Sequence, residues 1–140
     1  MNRNTWAAIV ATIAVVAVVI LGFRALGGPG TQRMVQSDLR TIRTLAELAQ
    51  QIHQKWVSSG EVLPANLEKF PNSATQDPAS HKSFAYRPKS KSEYELCATF
   101  ATDSRELQAQ NTNDPWAHPR GDYCFQFDAA QQVPPVPYYY

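Results

Sequence analysis

The chain has 140 residues, with 13 Lys/Arg against 12 Asp/Glu and a formal net charge of +1. This length supports one small domain and excludes two separate cores. No basic face is concentrated enough to follow a phosphate backbone, so the charge pattern predicts that nucleic acid is not a partner.

An uncharged run of eighteen residues, Trp6 to Phe23, lies near the N-terminus. At about 1.5 Å per residue, a helix of this length spans roughly 27 Å, which matches the hydrocarbon core of a bilayer. Trp6 and Arg24 suit the two interfaces. We therefore predict a membrane anchor over residues 1–24, with the lipid bilayer as its partner. A cleavable signal peptide is the main alternative, although its apolar stretch is usually only about 7–15 residues long.

The anchor is followed by a hinge and then by a helical pattern. Three glycines and a proline between Gly27 and Gly30 disfavour a helix, which predicts a hinge over residues 25–33. Apolar residues then recur at spacings of three and four from Met34 to Trp56, which indicates a long amphipathic helix that stops before Gly60. The apolar stripe also fits a coiled-coil seam between two copies of the chain. The strands that follow favour the other interpretation, in which the helix packs on a sheet.

Three short strands are predicted in the second half of the chain, because aromatic and polar residues alternate there. They cover Phe84–Arg87, Tyr94–Phe100 and Tyr123–Phe127. We expect a short helix to begin at Pro64, and residues 101–120 to form a surface loop. The predicted fold class is α+β, with an N-terminal transmembrane helix and a long amphipathic helix packed on a small antiparallel sheet.

Both cysteines lie on the strand face opposite the aromatic residues, because side chains alternate with period two. Antiparallel pairing with Cys97 opposite Cys124 brings every inward residue of the last two strands against another inward residue. The resulting pairs are Leu96 with Phe125, Tyr94 with Phe127 and Ala98 with Tyr123. A slip of one residue would expose the aromatic side chains. The pattern therefore predicts a disulfide between Cys97 and Cys124.

A disulfide places the domain in an oxidising compartment. The positive-inside rule points the other way, because Arg24, Arg33, Arg40 and Arg43 all follow the apolar run. We give the cysteines precedence over the arginines. The prediction is a single-pass membrane protein whose C-terminal domain lies outside the cytoplasm.

No residue set in the sequence indicates a reaction. His53, His81 and His118 lack the i, i+4 pairing of zinc sites, and there is no phosphate-binding glycine loop and no Gly-x-Ser-x-Gly motif. We predict no catalytic activity, no metal and no cofactor.

Aromatic residues near the C-terminus are the candidates for contacts with a partner. A tail over residues 129–140 is rich in proline and tyrosine, which favours an extended, polyproline-like chain. The residues proposed to contact a partner are Trp116, His118, Tyr138, Tyr139 and Tyr140. The pattern specifies no oligomeric state.

The order of these elements resembles the pilin fold, and most of all the pseudopilins of type II secretion. The residues that carry the resemblance are Leu39–Trp56 in the long helix, Gly60 with Leu63, Pro64 and Leu67 after it, and Asp77-Pro78 before Phe84–Tyr86. A closer resemblance is to uncharacterised bacterial membrane-anchored proteins that share the segments Tyr94–Phe100, Trp116–Pro119 and Cys124-Phe125.

The resemblance implies a pseudopilin-like structural or assembly protein of the bacterial cell envelope, with other envelope or secretion-system proteins as partners. Residues 34–128 would form the pilin-like domain, periplasmic or otherwise extracytoplasmic, and residues 1–24 would anchor it in the inner (cytoplasmic) membrane. Asn2 to Thr5 replace the Gly-Phe-Thr-Leu-Ile-Glu signal of pilins, and this departure from the family pattern predicts no cleavage by a prepilin peptidase. The alternative function is an anchored module that binds a ligand or partner through residues 101–120 and Trp116.

Overall fold

The computed structural model describes residues 3–26, 28–107 and 113–136, and within these ranges it gives no account of the side chains of residues 3, 4, 23, 25, 26, 29, 72, 106 and 107. The chain divides into two compact units, Met1–Arg33 and Met34–Tyr140. Helix α1 covers Arg3–Leu26. Its apolar window Thr5–Gly22 is 18 residues long, and none of it is buried. In the described part of the chain, α1 alone is long and apolar enough to cross a membrane.

Helix α2 covers Pro29–Ser58. It begins earlier than the predicted Met34, because proline at the first helical position needs no hydrogen-bond partner for its nitrogen. It ends where the sequence predicts. Gly60 adopts a left-handed φ of +75°, and the Glu61 N–H donates to the Trp56 carbonyl at 2.9 Å. This bond, from the third residue after the helix back into its last turn, is the usual way that a glycine-terminated helix ends.

The segment after α2 contains turns where a helix was expected. The predicted helix at Pro64 is wrong, because local polar contacts bend the chain there. The Asn66 side chain accepts a hydrogen bond from the Glu68 N–H, and the Phe70 N–H bonds back to Leu67. A one-turn helix, α3, follows at Asn72–Thr75. The side chains of Leu63, Leu67 and Phe70 still pack against the core.

The sheet has three antiparallel strands in the order β1-β2-β3, namely Ala85–Pro88, Glu93–Phe100 and Gly121–Asp128. The predicted register between β2 and β3 is confirmed. Cys97 lies opposite Cys124, Leu96 opposite Phe125, Tyr94 opposite Phe127 and Ala98 opposite Tyr123. A one-turn helix, α4, covers Ser104–Leu107 within the connection that the sequence predicted as loop.

The core lies between the apolar stripe of α2 and the aromatic face of the sheet. Leu45, Leu48 and Ile52 of the helix are completely buried. The sheet contributes Tyr94, Leu96, Phe100 and Phe125 to the same cluster. Burial of a large apolar side chain stabilises a domain by about 1.5–3 kcal/mol, so this cluster supplies the main driving force for the fold. The structure is α+β, with an N-terminal apolar helix and a small antiparallel sheet.

Candidate functional site

The disulfide lies on the outer face of the sheet, away from α2. The Cys97 and Cys124 sulfur atoms are bonded, and the two residues are 27 positions apart in sequence. Both side chains are half-buried. A disulfide that closes a loop of this size stabilises a domain by roughly 3–4 kcal/mol in the chain-entropy model. The two strands are thus joined covalently at the centre of the sheet.

Asp38 fixes the chain that leaves β2. Its carboxylate is buried on α2 and accepts hydrogen bonds from the Ala101 N–H at 2.9 Å and the Thr102 N–H at 2.8 Å. The Thr102 hydroxyl donates to the same carboxylate at 2.6 Å. A buried carboxylate is tolerated because these donors replace water. Its role here is structural, since its described contacts lie within the protein.

Asp77 forms a second buried contact with α2. Its carboxylate accepts a hydrogen bond from the Thr41 hydroxyl at 2.6 Å and others from Ser80 and the Ala79 N–H. Burial opposes ionisation of Asp77, but the hydrogen bonds from Ser80, Thr41 and the two backbone amides outweigh it and lower its pKa. Because the folded pKa lies below the ordinary value of 3.8, this contact stabilises the fold above that pH and is lost in stronger acid.

The variant Asp38→Ala should reduce the free energy of unfolding by about 2–3 kcal/mol, because three donors lose a charged acceptor. The variant Thr102→Val, which removes only the hydroxyl donor, should cost about 1 kcal/mol. Urea unfolding of the full chain in detergent, followed by near-ultraviolet circular dichroism, measures both. Equal stability of Asp38→Ala and the wild type would contradict the structural role of Asp38.

Two of the residues proposed as partner contacts are buried. Trp116 is 1% exposed and His118 is 2% exposed. The Trp116 indole N–H donates to the Pro134 carbonyl at 3.3 Å, and the His118 ring stacks on Phe100 with ring centroids 3.9 Å apart. The structure therefore places both in the packing of the domain. Tyr138, Tyr139 and Tyr140 lie outside the described residues.

Burial lowers the pKa of His118 from its ordinary value of 6.5, although the Pro119 carbonyl and the carboxylates of Asp38, Asp103 and Asp114 act in the opposite direction. A lowered histidine pKa means that the unfolded chain binds more protons, so stability is complete above pH 6.5 and falls as the pH drops below it. We expect the urea midpoint to decrease on acidification. The variant His118→Gln should remove this part of the pH dependence, and an unchanged profile would contradict it.

A cleft of about 340 Å³ is the candidate interaction site. It is lined by Pro115 and Trp116, by Gln131 to Pro134 and by β3 from Tyr123 to Asp128. Consecutive residues of β3 project to opposite faces of the sheet. The cleft therefore runs along the edge of β3.

Sequence reasoning missed this cleft and the two buried aspartates. The cleft depends on the tail returning to Trp116, which no local pattern indicates. The burial of Asp38 could have been predicted, because this residue lies one turn before Ile42 on the apolar stripe of α2. A carboxylate on a buried helix face needs hydrogen-bond donors from the segment that packs against it.

No group of three or more His, Cys, Asp or Glu in the described ranges is placed to hold a metal ion. The histidines lie apart, with His53 donating from Nδ1 to the Ala129 carbonyl at 2.7 Å and His81 in an exposed turn. The chain matches no protein-family model, no curated protein and no solved structure.

Proposed function

We propose that this chain is a single-pass structural or assembly protein of the bacterial cell envelope, with a pilin-like domain displayed outside the cytoplasm and no catalytic activity. The observation that carries the proposal is the combination of an exposed apolar helix, Thr5–Gly22, with a domain closed by a disulfide. An exposed helix of this composition is stable in lipid and unfavourable in water. A structural disulfide forms in an oxidising compartment such as the periplasm.

The buried polar groups also support a non-catalytic role. Asp38, Asp77 and Ser104 each satisfy backbone or side-chain groups of the domain itself. A catalytic group must reach its substrate from a cleft, and its pKa is usually tuned toward the working pH. Tyr86 and Tyr94 have pKa values raised by burial, Tyr86 to about 12, which keeps their hydroxyls protonated. Their hydroxyls donate to the carbonyls of Pro64 and Ala49, respectively.

Photo-crosslinking in native membranes tests the assembly role. A photoreactive residue at Gln50 or Gln54, both exposed on α2, should capture other envelope proteins, and the same residue at the exposed loop position Asn113 should not. Removal of residues 137–140 should also reduce capture. Capture from Asn113 alone would contradict the assembly role.

The second candidate is an anchored module that binds a ligand or partner. It is favoured by the cleft beside Trp116. This function predicts the reverse crosslinking result, with capture from residues 101–120 and no capture from the positions on α2.

A further inference from the structure

We propose that the free edge of β3 binds an extended, cationic peptide segment of a partner protein by adding it to the sheet as a fourth strand. The proposal does not depend on how the chain is anchored. Among the described residues, β3 pairs only with β2, so its other edge carries no strand. That edge lines the cleft, together with Trp116 and residues 131–134.

The direction of the β3 backbone groups follows from the register. Hydrogen-bonding direction alternates along a strand, so every second residue bonds to the same neighbour. The Ala129 N–H donates to the Ser92 carbonyl, which continues the ladder toward β2. Residues two, four and six positions earlier share this direction, namely Phe127, Phe125 and Tyr123. The N–H and carbonyl groups of Cys124 and Gln126 therefore point away from β2.

These outward groups are the ones that an added strand uses. Cys124 and Gln126 both line the cleft. Asp128, the next outward residue, already accepts a hydrogen bond from the Gln131 N–H at 3.0 Å. The backbone groups left without a described strand partner are therefore those of Cys124 and Gln126, with two N–H donors and two carbonyl acceptors. Strand addition uses main-chain donors and acceptors of this kind.

Charge and polarity specify the peptide. β3 carries acids at both ends, Asp122 and Asp128, and no cation. Side chains of an added strand would alternate between the outer face and the side of the sheet where Trp116 and Val133 pack. An apolar residue suits the second side, and a lysine or arginine suits the first. The matching segment is an extended peptide in which apolar and basic residues alternate.

The variant Gln126→Pro tests the edge without disturbing the ladder to β2. Proline removes the outward N–H and places its ring in the cleft, yet it is tolerated on an edge strand whose N–H faces solvent. The variant Gln126→Thr is the matched control, because it changes the side chain and keeps the N–H. Near-ultraviolet circular dichroism and the intact disulfide verify that both variants are folded.

The probe is a fluorescent peptide of alternating lysine and valine, titrated into the full chain in nanodiscs of neutral lipid and followed by anisotropy. Each lost hydrogen bond weakens binding by about fivefold. We expect Gln126→Pro to raise Kd by more than about tenfold, since it loses a bond and gains a clash. Gln126→Thr should leave Kd within about twofold of the wild type. A peptide that is N-methylated at alternate amides should bind the wild type about as weakly as the unmodified peptide binds the Gln126→Pro variant.

Three results would overturn the proposal. The first is equal affinity of the proline and threonine variants, and the second is no binding of the alternating peptide to the wild type. The third is binding that begins only after removal of residues 137–140, which would assign the edge to the chain's own tail. Sedimentation without peptide completes the test, because a dimer that Gln126→Pro dissociates would identify the occupant as a second copy.

Discussion

The double variant Ile13→Arg with Val16→Arg will not stay in the membrane. Both side chains lie near the centre of the apolar window and are more than half exposed, at 63% and 51%. An arginine at the centre of a spanning helix costs roughly 2.5–3.5 kcal/mol, so the pair costs about 5–7 kcal/mol. We expect the wild type to remain in the pellet after alkaline carbonate extraction and the variant to appear in the supernatant.

The control for this experiment adds the same charge to the domain. Val57 and Val62 are 60% and 61% exposed, so Val57→Arg with Val62→Arg should leave extraction unchanged. An anchor of the predicted kind is contradicted if the wild type is itself released. A released product shortened after the apolar run would instead identify a cleaved signal peptide.

Removal of the disulfide is the second large effect. The variant Cys97→Ser with Cys124→Ser should lower the free energy of unfolding by roughly 3–4 kcal/mol, because the unfolded chain regains the entropy of an open loop. A small domain has a total stability of only about 5–15 kcal/mol, so this loss is a large fraction of it. Urea unfolding of the full chain measures the change, and reduction of the wild type should reproduce it.

A cross-strand pair on the same face provides the matched control. The Thr99 hydroxyl donates to the Asp122 carboxylate across β2 and β3, and both residues are exposed. Replacing both by alanine should cost less than about 1 kcal/mol, because an exposed hydrogen bond competes with water. A disulfide variant that is no less stable than this control would show that the bond does not stabilise the domain.

The sheet could be predicted from the sequence because its information is local. Alternation in Tyr94–Phe100 and in Tyr123–Phe127 fixes which side chains face inward, and two cysteines on the outward face leave one register that satisfies every pair. The end of α2 was predictable for the same reason. Gly60 marks a left-handed residue directly after the apolar stripe.

The remaining features depend on contacts between distant residues. Asp38 bonds to residues 63 and 64 positions later, and Trp116 to a carbonyl 18 positions later in the tail. No short window of sequence contains both partners. The expected helix at Pro64 failed because Asn66 and Glu68 form a local turn, and a helical start signal does not exclude such a turn.

Thiol labelling of intact and permeabilised cells tests most directly whether a membrane-anchored domain lies on the oxidising side. Our account predicts that a membrane-impermeant maleimide labels Cys97 and Cys124 in spheroplasts only after an impermeant reductant has opened the disulfide. It would be contradicted by free thiols that react without reductant and only after the membrane has been permeabilised.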